Sequence, residues 1–215
     1  MSRTRLRTAA AALILLTGPA LAGPVSFAGW QEQRLSLFGS NDYTFGDTLE
    51  MTSAGSVSIA WGRVAQGDWG ARRASWTWDV TTSVPPTDLS RKGGDDRNLA
   101  VYFLFVPQAE AAALASADIR ALLGRSDVRV LQYAYGGNNP VGSVLPSPYG
   151  TPGTGATIVL RQAGTGSHSE SVDLSADYAR AFDGAPGALI GMAVSGDSDD
   201  TKSPVAAAVG GMRVE

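Results

Sequence analysis

The chain has 215 residues, with 17 Lys and Arg against 20 Asp and Glu, a single His and no Cys, for a formal net charge of −3. This acidic balance excludes a nucleic-acid face, which needs a basic stripe, and the residue inventory excludes disulfides and the usual zinc ligand sets. The length is enough for one large domain with a substantial core, so a single domain over residues 23–215 is expected.

Residues 1–22 combine Arg3, Arg5 and Arg7, an apolar run over residues 9–16, and Ala20-Leu21-Ala22, the small-x-small pattern at which a secretory signal peptide is cleaved. The apolar run is too short for a permanent membrane anchor. Removal of these residues, with their three arginines, would leave 14 basic against 20 acidic side chains, a mature net charge of −6. A periplasmic or secreted protein is expected.

The mature chain then reads as a succession of short strands. Residues 27–38, with Trp30, Leu35, Leu37 and Phe38, and residues 43–51, with Tyr43, Phe45, Leu49 and Met51, have the alternation of edge strands; residues 56–64 alternate Val57, Ile59 and Trp61 with small or polar partners. Residues 74–80 set Trp76, Trp78 and Val80 on one face, whereas residues 99–106 are apolar on both. Between them, Pro85, Pro86, Arg91, Lys92, Gly93, Gly94, Asp95, Asp96 and Arg97 concentrate turn residues and charge, which places this loop outside the core.

After Pro107 the period changes to that of a helix over residues 108–123, which Gly124 would end. Strand chemistry returns at residues 128–135. Residues 136–153 form a long Gly, Pro and Asn loop of the kind found in binding loops, lids or disordered segments. A hairpin follows around Gly164-Thr165-Gly166, then a short helix over residues 175–182 with Ser175 as N-cap, an apolar strand at residues 188–194, an acidic loop at residues 196–203 and a closing strand at residues 205–214. Nine or ten short strands with one or two short helices predict an all-β protein, a two-sheet β-sandwich of jelly-roll type.

Several motifs in this order carry a resemblance: Phe27-x-Gly29-Trp30, Ser56-Val57-Ser58, Trp76-x-Trp78-x-Val80, Gly94-Asp95-Asp96 leading into Val101-Tyr102-x-x-Phe105, Leu131-x-Tyr133, Asp177-Tyr178-x-x-x-Phe182 and Asp197-x-Asp199-Asp200-Thr201. Together they resemble the bacterial exported domain of unknown function family 3047. The resemblance implies a β-rich exported domain and supplies no catalytic residue. Thr77 and Asp79, where that family has basic residues, and Asp200, where it has Asn, depart from the pattern; the helix over residues 108–123 looks like an addition.

Candidate chemistry lies in the aromatics and the acidic loops. Trp76 and Trp78 share a face with Ala74 and Val80, which turns them inward as core and away from a sugar platform. Arg97, Tyr102, Tyr133, Tyr135 and Tyr149 are the candidate ligand-binding residues, since a phenol tolerates a half-wet position. Asp95, Asp96, Asp197, Asp199 and Asp200 offer the oxygen-only ligation that suits Ca²⁺, the one cofactor the sequence suggests. Their spacing is not that of an EF-hand loop, and solvated turns with a salt bridge to Arg73, Arg91 or Arg97 account for them somewhat better. Two of Asp95, Asp96, Asp177, Asp197 and Asp199 would instead serve as acid and base in a carbohydrate-active hydrolase or lyase. His168, the only imidazole, stands at a hairpin without a nucleophile pattern. The expected function is non-catalytic binding of a polysaccharide or a cell-envelope protein, with the hydrolase or lyase as the alternative.

Overall fold

The computed structural model describes residues 23–35 and 39–215; the expected signal peptide and residues 36–38 of the first expected strand lie outside the described residues. Among the described residues thirteen strands form two sheets. The first contains β1 (Gly23–Pro24), β3 (Asp42–Thr44), β4 (Thr48–Ala54), β6 (Arg73–Thr82), β11 (Gly166–Asp173) and β13 (Pro204–Val214), in the order β11-β6-β13-β4-β3 with β1 beside the end of β13. The second contains β2 (Gln31–Arg34), β5 (Ser58–Arg63), β7 (Arg97–Val106), β8 (Arg129–Tyr135), β9 (Val144–Pro146), β10 (Gly155–Arg161) and β12 (Ala188–Asp197), in the order β2-β5-β12-β7-β8-β10-β9. All pairings within the sheets are antiparallel except β8 with β10. The chain is therefore an all-β two-sheet sandwich, as the strand count predicts.

The period-two pattern of β6 decides which side chains enter the space between the sheets. Trp76 and Trp78 are buried there and their rings meet edge to face at 5.5 Å. From the opposite sheet Tyr133 reaches Trp76 at 5.6 Å, Tyr135 reaches Trp78 at 5.4 Å, and Phe103 closes on Tyr133 at 5.8 Å. The tilted and edge-on geometries suit the ring quadrupoles and bury a large apolar area. Trp78 Nε1 also finds a half-buried acceptor, Glu170 Oε1, at 3.1 Å.

The helical segments differ from expectation. Residues 108–123 are not one helix but a 3-10 turn (Gln108–Glu110), α1 (Ala111–Leu114) and α2 (Ile119–Leu123). Arg63 donates to the carbonyls of Ala115, Ser116 and Ala117, the groups that a continuous helix would have consumed, and Asp118 restarts the helix by accepting from the Arg120 amide at 2.8 Å. Gly124 has φ −80°, so it does not act as a left-handed cap. α3 (Leu174–Phe182) begins one residue before the expected N-cap: Asp173, not Ser175, accepts from the first amides, and Gly184, at φ +80°, follows its end. The segment 43–51 divides into β3 and β4 at a turn, and the loop 136–153 contains β9.

The second sheet has two faces that matter. Its inner face carries Leu99, Val101, Phe103 and Phe105 of β7 into the sandwich core; its outer face carries Ala100, Tyr102, Leu104 and Val106 into a second apolar cluster with Ile119, Leu122 and Val128, so that α2 covers one end of that face. The other end stays open. Substituting Trp78 by Ala removes the ring that joins the two sheets, and a loss of about 3 to 5 kcal/mol of unfolding free energy is expected in chemical denaturation.

A candidate cleft built on a buried arginine

β7 departs from strand periodicity at its start, and this departure builds the site. Asp197 of β12 pairs with Arg97 and Ser195 with Ala100, so β7 fits two residues, Asn98 and Leu99, opposite the single Gly196. Arg97 and Tyr102, five apart, would lie on opposite faces of a regular strand; this bulge puts both on the outer face. Arg97 Nη2 then donates to Tyr102 Oη at 2.8 Å and to Ser195 Oγ at 3.4 Å, while Nη1 donates to Asp95 Oδ2 and Asp197 Oδ2, each at 3.3 Å, and to the Asp95 carbonyl at 3.0 Å. Gly136 makes room for the turn, because a Cβ there would stand 2.7 Å from Arg97 Cβ.

These groups are buried. Arg97 and Asp197 are each 7% exposed and Asp95 is 5% exposed, so the charged loop does enter the interior, contrary to the sequence expectation. A charge there requires partners, and two carboxylates and two hydroxyls supply them. Burial works against the Arg97 charge, but Tyr102, Asp197 and Asp95 outweigh it and hold the guanidinium above its ordinary value. Burial also pushes the Asp197 carboxyl up; Arg97 pulls it down, but Asp199, Asp95 and Asp96 repel its charge, and the net result is about 8. Asp197 Oδ1 and Arg97 Nε have no hydrogen-bond partner among the described residues.

The cluster forms the polar end of a cleft of about 510 Å³ on the outer face of the second sheet. Asp95, Arg97, Tyr102, Asp197 and Asp199 line it, together with Gln132 and Thr157. Along the remaining length the lining is mainly aliphatic, from Ile59, Leu104 and Val130 on the strands to Ile119 and Leu123 on α2, with Arg125, paired to Glu110 and Asp127, among them. The loop after β9 forms a wall: Tyr149, 47% exposed, donates its hydroxyl to Asp95 Oδ1 at 2.8 Å and receives the Gly93 amide at 3.4 Å. Burial, then the Asp95 hydrogen bond, push this phenol up to about 12. Lys92 Nζ lies 5.5 Å from its ring centroid.

The structure divides the residues singled out from the sequence. Arg97, Tyr102 and Tyr149 meet at the cleft. Tyr133 and Tyr135 do not: both face the sandwich core, 0% and 2% exposed, because their positions on β8 place them opposite Trp76 and Trp78. Tyr133 Oη instead donates to Asp177 Oδ2 at 2.8 Å, which commits Asp177 to the core edge and to Arg180, away from the other aspartates. The acidic loops do converge, but as two groups. Asp95 and Asp197 share Arg97, whereas Asp96, Asp199 and Asp200 place one oxygen each within 4.8 Å of one another. Asp96 already accepts from the backbone amides of Asp200, at 3.3 Å, and Thr201, at 2.7 Å, so it joins the two loops as a turn cap. His168 is half-buried against Tyr135, its ring 5.6 Å away. Ser195, Gln132 and the aliphatic lining went unnoticed in the sequence, since nothing in the strand pattern says which face stays open. Among the described residues no helix is long and apolar enough to cross a membrane.

The raised Asp197 value gives stability a definite pH dependence. A carboxyl near 8 in the folded chain and near 3.9 in the unfolded one favours folding below the lower value, and this contribution is lost as pH rises to the upper one. Asp197→Asn abolishes the titration. The melting temperature of the native protein, relative to that variant, is expected to fall between pH 4 and pH 8 and to level off above it; a flat difference across this window would refute the raised carboxyl.

A search of curated proteins finds no match to this chain. Among solved structures, the xyloglucanase domain of NopAA, a type three effector from Sinorhizobium fredii in complex with cellobiose, is similar at a TM-score of 0.47 and 9% identity, over 93% of this chain and 99% of that one. A family model described as protein of unknown function (DUF3047) matches residues 28–213, nearly the whole of the described chain. On this match, in agreement with the motif order from Phe27 to Thr201, the chain belongs to the DUF3047 family.

Proposed function

We propose that this protein is an exported β-sandwich domain that binds a carbohydrate in the cleft on the outer face of its second sheet. The observation that carries the reading is the engaged guanidinium: Arg97 spends both terminal nitrogens on its own chain, so the groups that line the polar end beside it are the carboxyls of Asp95, Asp197 and Asp199. Acceptors beside a half-exposed Tyr149 ring suit the donating hydroxyls and apolar ring face of a sugar. A cleft of this volume lies in the range of small-ligand sites, roughly 300 to 1,000 Å³.

A second reading, glycoside cleavage, is favoured by the pairing of two carboxyl groups on Arg97 Nη1. Asp197, held protonated to about pH 8, would donate a proton to the leaving oxygen, and Asp95 would act as the carboxylate. One experiment separates the two. Oligosaccharides that bind in calorimetry are incubated with the protein and assayed for new reducing ends. Binding without cleavage, weakened about tenfold or more by Tyr149→Ala, is expected for a binding module; cleavage that disappears in Asp197→Asn while binding persists would make the protein a hydrolase.

Export rests on the basic, apolar and small-residue succession of residues 1–22. Intact-mass measurement of the protein from its native host is expected to give a chain that begins at Gly23, and a chain that retains residues 1–22 would refute export by this route.

A further inference from the structure

The large apolar side chains exposed among the described residues are Leu35, Leu123, Val141 and Tyr149, and three of these four, Leu35, Leu123 and Tyr149, border the cleft. Single exposed apolar residues are ordinary on a protein surface, whereas three around one opening mark a binding site. Their placement is fixed by the fold: Arg120 Nη2 donates to the Arg34 carbonyl at 2.8 Å, which ties the Leu35 segment to the helix that carries Leu123. Behind this rim Leu104 and Val130, paired across β7 and β8, continue an aliphatic floor up to Tyr102 and Gln132, the next pair but one, where the polar end begins.

The cleft thus has two chemically different ends. At the polar end a carboxylate or phosphate head would face Asp95, Asp197 and Asp199, with both terminal nitrogens of Arg97 already engaged by the chain. At the other end an unsubstituted sugar would leave Leu35 and Leu123 against water. We propose that the ligand is an amphiphilic glycoside, with its sugar hydroxyls on Asp95 and Asp197 beside Tyr149 and an alkyl or acyl chain along Leu104, Val130, Leu123 and Leu35. This rests on the carbohydrate reading above and adds the lipid-like half of the ligand.

Calorimetry with methyl β-D-glucopyranoside, n-octyl β-D-glucopyranoside below its micelle concentration, and n-octanoate tests the inference on the full chain. Each fully buried methylene multiplies affinity by about fourfold, so even partial burial of the octyl chain is expected to make the octyl glucoside bind about a hundredfold or more tightly than the methyl glucoside, with octanoate far weaker. The double variant Leu35→Gln, Leu123→Gln alters exposed positions and is expected to keep the native melting curve. It should lose about tenfold in octyl glucoside affinity, with methyl glucoside unchanged. Equal affinity for the two glucosides overturns the inference and leaves the carbohydrate reading standing. Octanoate binding as tight as octyl glucoside overturns both, since the chain alone would then suffice.

Discussion

Everything at the open end of this molecule depends on one buried guanidinium. β7 is buried along its whole length, and a positive charge in such a strand is tolerated only when every neighbour is arranged to compensate it. Arg97 has carboxyl groups on both sides, one from the loop before its own strand and one from the end of β12, and two hydroxyls that engage its second nitrogen. The arrangement depends on geometry as much as on charge. Without the bulge opposite Gly196, Arg97 would turn into the sandwich core, where Leu99, Val101 and Phe103 leave no polar partner.

The same constraint shapes the surroundings. The loop before β7 must close over Arg97, and it does so through buried links of its own: Asn98 Oδ1 accepts the Val84 amide at 2.9 Å, and Thr87 Oγ1 donates to the Asp96 carbonyl at 2.6 Å. Gly136 and Gly137 end β8 where Arg97 and Leu89 press against the backbone; a Cβ on Gly137 would meet Leu89 Cγ at 2.5 Å. Asp96 then draws the C-terminal acidic loop onto the first through two backbone amides. The convergence of acidic loops that at first suggests a cation site is, for Asp96, the closing of a turn, and the chemically distinctive carboxyl group is Asp197, which stands on a strand end and not in a loop.

The two faces of the second sheet divide the labour. The inner face, with its tyrosines packed on Trp76 and Trp78, holds the two sheets together and has no access to ligand. The outer face is only half covered, because α1 and α2 are short and sit at one end. Arg63 keeps them short by taking the carbonyls that would have extended the helix. The uncovered half is the cleft, acidic at the bulged end of β7 and aliphatic where the helix begins.

Much of the frame was legible in the residues themselves. The alternation of Trp76, Trp78 and Val80 announced an inward face, the strand count announced a two-sheet β-sandwich, and the motif order announced the family. These are local signals of period and composition, and burial obeys them. The cleft was not legible for the opposite reason. Tyr102, Tyr133 and Tyr135 are equivalent in sequence, yet the first lines the cleft and the others fill the core, because a side chain's face is counted from the strand pairing and not from the residue type. Arg97 joined Tyr102 only through a one-residue bulge, and Asp197 met Arg97 from 100 residues away across β12 and β7. Period and composition are local, and they suffice for the class of fold and the core tryptophans; which charges meet depends on register between strands, which no local pattern records and which exists only once the chain is folded.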